Sequence, residues 1–235
     1  RIRDKGVVVK ISLSRMLASG SQKKIEPIFF EWFTLIGMFI FAGWLLGIRG
    51  VWSLLLNSDP TGITMIIIIM FSIATIWCGT RSRELHRQRQ SLEYQKTNPG
   101  SPPPIDSWAY EYWEALRANP RDSGAPMDVL SERTHGIHST AWWVNSLQLK
   151  LGLLGKVIGF SILAMQIGHM QNFDQSQAQD MLRELTSGLG IALLTTMVGL
   201  VANIFLGLQL TRLDRFADEF IVQAQLHGLK IKAKD

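Results

Sequence analysis

Between Gly188 and Leu210 the chain carries 23 consecutive residues without a charge, GLGIALLTTMVGLVANIFLGLQL. As a helix rising about 1.5 Å per residue, such a run is long enough to cross the ~30 Å hydrocarbon core of a bilayer. Projected at about 100° per residue, Gly188, Ala192, Thr196, Gly199, Asn203 and Gly207 share one face, with Thr195 at its edge. The remaining surface is mostly Leu, Ile, Val, Met and Phe. Small residues admit a second helix at close range, and Thr or Asn in hydrocarbon requires a partner on a neighbouring helix or a wet path. Periodicity alone reads this face as a packing seam.

Composition supports a membrane setting, because the apolar 47% of the 235 residues is gathered into blocks. Four stand out, at Trp32–Ile48, Pro60–Thr80, Leu151–Phe173 (interrupted by Lys156) and Leu185–Thr211. The first follows some thirty residues and precedes no small-residue cleavage site, which argues against a secretory signal peptide. Lys and Arg number seven before the first block, one between the first two, nine from Arg81 to Lys150, one (Arg183) before the fourth block and five after it. The positive-inside rule then places both termini and the middle segment in the cytoplasm. Asp174, Asp180 and Glu184 fall in the outer connection. The net charge of +5 is accounted for by this topology, and nucleic-acid binding is not needed to explain it. Cys78, the single cysteine, is placed at a helix end and has no partner for an internal disulfide.

Five segments follow. Residues 1–26 form a basic, amphipathic lead-in with Val7 to Ile11 as its apolar part, either a helix on an anionic leaflet or a frayed or partner-dependent terminus. Residues 27–80 form a first transmembrane hairpin with aromatic residues at its boundaries and an Asn57-Ser58-Asp59-Pro60 turn. Within it Ile63 to Phe71 has no polar stripe and is expected to face lipid, and Glu31 is expected at the cytoplasmic interface. Residues 81–140 are a cytoplasmic helical segment, with Arg81–Lys96 read as a solvated extension of the preceding helix. After the breaker from Asn98 to Pro104, a short helix over Ile105–Ala118 takes Asp106 as its cap and presents Trp108, Tyr112, Trp113 and Leu116, to pack on the long helices or else to dock a cytoplasmic partner, packing being preferred because few other residues can bury those rings. His135 and His138 have an HxxH spacing, but Gly136 interrupts it, so they mark the turn into the next helix rather than a metal site, with Ser139 or Thr140 as its cap. Trp142 and Trp143 mark the membrane boundary. Residues 141–211 form a second transmembrane hairpin, and 212–235 a cytoplasmic helix or tail.

The third block carries a matching stripe, with Gly152, Gly155, Gly159, Leu163 and Gln166 on one face. Two antiparallel helices with facing small stripes form a tight hairpin, and Gly152, Gly155, Gly159, Gly188 and Gly199 are its candidate packing residues. Here residue order adds what periodicity cannot. GLGIALLTTMVGLVANI resembles the GIALALLTTAYGLLVAIP pattern on the last transmembrane helix of the MotA/TolQ/ExbB proton channel family, with Thr195, Thr196, Gly199 and Leu200 in register. GLLGKVIGF resembles the GLLGTVIGM motif of that family's penultimate helix.

The expected fold is an all-α integral membrane protein with four transmembrane helices in two hairpins and a short helical cytoplasmic segment. The resemblance implies assembly into an oligomeric ring, typically a pentamer, in the bacterial inner membrane around a MotB/TolR/ExbD-like dimer of single-span proteins. It implies work driven by the proton-motive force, the proton being carried by an Asp of the partner while Thr195, Thr196, Asn203 and Lys156 lie along the ion path. Neither of the two hairpin blocks contains an acid, so a stepwise proton carrier must come from elsewhere. Lys156 stands where the family has Thr or a small residue, and Leu149 where it has Pro. Burying an unpaired Lys costs roughly 2.5–3.5 kcal/mol on insertion scales. That leaves a lysine that snorkels to a wet vestibule, pairs with the partner's carboxylate, or marks a ring that no longer conducts and serves as a scaffold. No nucleophile–base pair, metal cluster or phosphate loop suggests an enzyme or a cofactor.

Overall fold

The computed structural model describes residues 28–59, 61–98, 101–102, 106–119, 124–168 and 175–232. The expectations placed on residues 1–26, on Asp174, and on the side chains of Glu31, Gln166, Asp180 and Glu184 lie outside the described residues. Seven helices are described: α1 (Ile28–Ile48), α2 (Val51–Ser58), α3 (Ile63–Thr97), α4 (Trp108–Ala118), α5 (Gly124–His135), α6 (His138–Gly168) and α7 (Gln175–Lys232). No strand occurs among the described residues.

The spine is α7, 58 residues without a proline and so about 87 Å long. Its apolar first half and charged second half belong to one rod, and α3 and α6 pack against it in opposite directions. Moving along α7, Ala202 packs with Ile63 and Ile67, Leu206 and Leu210 with Ala74, Cys78 and Ala141, Leu213 and Ala217 with Leu85, and Phe220 with Leu92. α3 therefore runs parallel to α7. The approach of α6 runs the other way, from Ala141 beside Leu206 and Leu210 to Leu163 beside Gly188. On the outside of this triad α1 lies antiparallel to α3, with Trp32 Nε1 donating to the Thr75 carbonyl at 3.2 Å and Phe39 edge-on to Phe71 at 5.8 Å.

Helices long and apolar enough to cross a membrane lie within Ile63–Thr97, Gly124–Met165 and Gly188–Ile231, while the apolar part of α1, Trp32–Ile48, is shorter. By length and composition these three long helices give the described residues the make-up of a multi-pass membrane protein.

Several local expectations are corrected. The connection between the first two blocks contains a helix, α2, which folds back so that Trp52 Nε1 reaches the Gly43 carbonyl at 2.9 Å. Ile63–Phe71 does not lie wholly against lipid: Ile67 is fully buried against α7, and Ile66 and Ile69 are exposed. Cys78 is buried in the interior of α3 rather than at a helix end. Arg81–Lys96 does continue that helix, yet one face is buried, with Leu85 and Leu92 at 0% exposure and Arg89 at 4%. Arg89 survives burial because its guanidinium lies 4.7 Å from the Phe216 ring and 3.6 Å from Glu219. At α4 the cap is Ser107, whose Oγ accepts from the Tyr110 N–H at 3.4 Å, while Asp106 turns the chain at φ 60°. Tyr112, Trp113 and Leu116 are buried as expected, and Trp113 Nε1 donates to the Ala224 carbonyl of α7 at 2.8 Å.

Candidate functional site

The site is the seam between the antiparallel helices α6 and α7. Gly152 and Gly199 cross at its centre. A Cβ on Gly199 would stand 2.9 Å from the Gln148 carbonyl oxygen and 3.0 Å from Gly152 Cα. Backbone cannot yield as a side chain can, so only hydrogen fits here. Farther along, a Cβ on Gly155 would meet Thr195 Oγ1 at 2.7 Å, one on Gly159 would meet Ala192 Cβ at 3.0 Å, and one on Gly188 would meet Leu163 Cδ1 at 3.0 Å. All five glycines singled out from the sequence thus face the opposite helix, Gly152, Gly159 and Gly199 against its backbone and Gly155 and Gly188 against its side chains.

The polar residues take different places on that seam. Thr195 is fully buried and faces Gly155, its hydroxyl donating to the Ala192 carbonyl at 3.3 Å. Thr196 is half-buried at the edge and directs Oγ1 to the carbonyls of Ala192 at 2.9 Å and Gly152 at 3.2 Å, the second lying across the helix pair. Asn203, also half-buried, donates from Nδ2 to the Asn145 carbonyl at 2.8 Å. These groups spend donors on backbone carbonyls and keep oxygen lone pairs as acceptors. Lys156 flanks the glycine seam, half-buried, with Nζ 5.9 Å from the Phe160 ring centroid.

At the charged end the seam closes on a polar knot that the sequence reading did not foresee. His138, the first residue of α6 and 2% exposed, pairs through Nδ1 with Asp214 Oδ1 at 2.6 Å. The other oxygen, Oδ2, accepts from Trp142 Nε1 at 2.8 Å. His135 Nε2 meets Asp218 Oδ1 at 3.2 Å. Arg81, from α3, donates to the carbonyls of Arg133 and Thr134 at the end of α5. Burial lowers the His138 pKa; hydrogen bonding and the charge of Asp214 oppose this, and the electrostatic influence of Arg81 and His135 adds to the lowering. No group of three or more metal-ligand side chains occurs among the described residues. The signal in the sequence was a matched spacing, His at i and i+3 against Asp214 and Asp218 at i and i+4. The acids lie some eighty residues away, so they became visible only once α6 and α7 were paired.

Asp59, also missed, is buried beneath the start of α3 and accepts from the backbone N–H groups of Thr61 at 3.0 Å and Thr64 at 2.7 Å. Burial pushes its carboxyl up, but the hydrogen bonds of Thr61 and Thr64 outweigh this and hold it below the usual value.

Comparison with curated proteins and with solved structures gives no match. The family comparison does: residues 133–225, spanning all of the seam and the histidine–aspartate knot, match the MotA/TolQ/ExbB proton channel family.

Proposed function

We propose that the chain is a ring subunit of an inner-membrane motor driven by the proton-motive force, with both termini and the charged half of the bundle in the cytoplasm. The observation that carries this reading is the family match over 133–225, whose segment coincides with the hairpin bearing the hydroxyl and glycine seam. In this reading α1 supplies a fourth crossing. A homo-oligomer, a pentamer by family analogy, surrounds a dimer of MotB/TolR/ExbD-like single-span partners whose intramembrane Asp carries the proton. Thr196 and Asn203, at the seam edge, offer oxygens to that path, and Thr195 positions them from inside the seam.

Lys156 favours a second reading, a non-conducting scaffold of the same fold. A cation–π contact at the limit of its range offsets about 0.5–2 kcal/mol, less than the roughly 2.5–3.5 kcal/mol of membrane insertion. The ammonium therefore needs water or an anion, and the partner's carboxylate is the anion the motor reading provides. Proton flux into proteoliposomes carrying the chain with its co-purifying partner separates the two. In the motor, Thr196→Val abolishes flux and Lys156→Thr impairs its coupling. In the scaffold the wild type is tight, and Lys156→Thr either changes nothing or opens a leak. A stable monomer with no partner would refute both.

A further inference from the structure

We infer that His138 and Asp214 form a proton-sensitive fastener that positions the charged end of α6 against α7, so that acidification on that side of the membrane loosens the hairpin below its glycine seam. The inference draws on the proposed function only in assigning that side to the cytoplasm.

The geometry allows one comfortable protonation state. A carboxylate 2.6 Å from Nδ1 requires that nitrogen to carry the proton, so the neutral ring donates to Asp214 and leaves Nε2 bare. Nε2 is buried and makes no hydrogen bond to the described residues. Around the ring stand the Trp77 edge, 6.1 Å between centroids, and Arg81 from α3, with His135 of α5 5.6 Å away, while Cys78 of α3 faces Asp214. The remaining charged neighbour, Asp214, already accepts from both Nδ1 and Trp142. A second proton on His138 would thus place an unpaired N–H in a buried pocket that already faces the Arg81 guanidinium.

Linkage fixes the direction. A histidine held below its ordinary value of 6.5 in the fastened state takes up its proton more readily when the helices part. The fastened state is therefore favoured above about pH 6.5 and loses ground as pH falls below it. The position gives this local event leverage. Asp214 lies eleven residues beyond Asn203 on the same rod, about 16 Å, and Trp142, the other donor to Asp214, lies one turn from Asn145, the partner of Asn203.

Spin labels at Thr140→Cys and Arg215→Cys, both exposed positions, in a Cys78→Ala background report the α6–α7 spacing of the full chain in liposomes. Expected is a narrow distance distribution at pH 8 that broadens with a midpoint below pH 6.5. His138→Asn, which keeps a donor toward Asp214 but cannot titrate, removes the transition, and His135→Asn retains it. Should His138→Asn fail to assemble, Trp142→Phe serves instead: losing one donor to Asp214 weakens the fastened state and moves the midpoint to higher pH, and an unmoved midpoint counts against the fastener. A wild type unchanged from pH 8 to 5, or a transition that survives in His138→Asn, would overturn the fastener. Proton flux measured in the same vesicles keeps the two ideas apart. A pH-dependent spacing without flux at any pH refutes the motor and leaves the fastener standing, whereas flux with no spacing change does the reverse.

Discussion

The seam makes a quantitative prediction through Gly199→Ala. The added methyl would sit 2.9 Å from the Gln148 carbonyl oxygen and 3.0 Å from Gly152 Cα, and ordinary van der Waals contact begins at 3.4 Å. The helices must therefore part locally by about 0.5 Å, or α7 must rotate, and overpacking of this kind costs about 1–3 kcal/mol. Gly190→Ala is the matched control, because a Cβ there meets nothing within 4 Å. It gains up to about 1 kcal/mol of helix propensity. Both variants change one hydrogen to a methyl on the same helix, so their difference isolates the close approach. Thermal unfolding in detergent, followed by loss of helical signal, should place Gly199→Ala several degrees below wild type and Gly190→Ala at or above it. At about 2–4 °C per kcal/mol for a chain of this size, the gap between them should exceed 2 °C. Equal melting temperatures would refute the claim that α6 and α7 meet backbone to backbone at Gly152 and Gly199.

Other consequences are simpler to read. Asp59→Ala removes the acceptor for the Thr61 and Thr64 N–H groups and should cost about 0.5–2 kcal/mol in the same melt. Because its carboxyl titrates below the ordinary 3.8, the wild-type contribution is complete above that value and is lost as pH falls through the lower, folded-state value; Asp59→Asn should flatten the acid limb of a stability–pH curve. Trp113→Phe should cost about 1 kcal/mol by losing the bond to the Ala224 carbonyl, whereas Trp113→Ala should cost about 3–5 kcal/mol and expose the α4 region to protease. Arg89→Ala should destabilise more than Arg215→Ala, measured together by chemical denaturation, since Arg89 is buried over Phe216 and Arg215 is solvent-exposed.

What the sequence determined by itself was whatever local order encodes. Uncharged runs of bilayer length, glycines at helical spacing and the order of Thr195, Thr196, Gly199 and Leu200 placed the hairpin, its seam and its family resemblance. Hydrophobic periodicity also marked the buried rings of α4, because a short helix with Tyr112, Trp113 and Leu116 on one side has to cover them. Tertiary structure decided what depends on distant partners. A charged stretch such as Arg81–Lys96 reads as solvated until α7 is found to continue far enough to pack against Leu85 and Leu92. Thr195 and Thr196 are neighbours in sequence, yet the 100° step between them sends one into the seam and the other to its edge. His138 became a titratable fastener only when antiparallel packing carried Asp214 to within 2.6 Å of it. The physical reason is common to all three: burial and electrostatic environment are properties of a packed interface, and a side chain acquires them only from the helix laid against it.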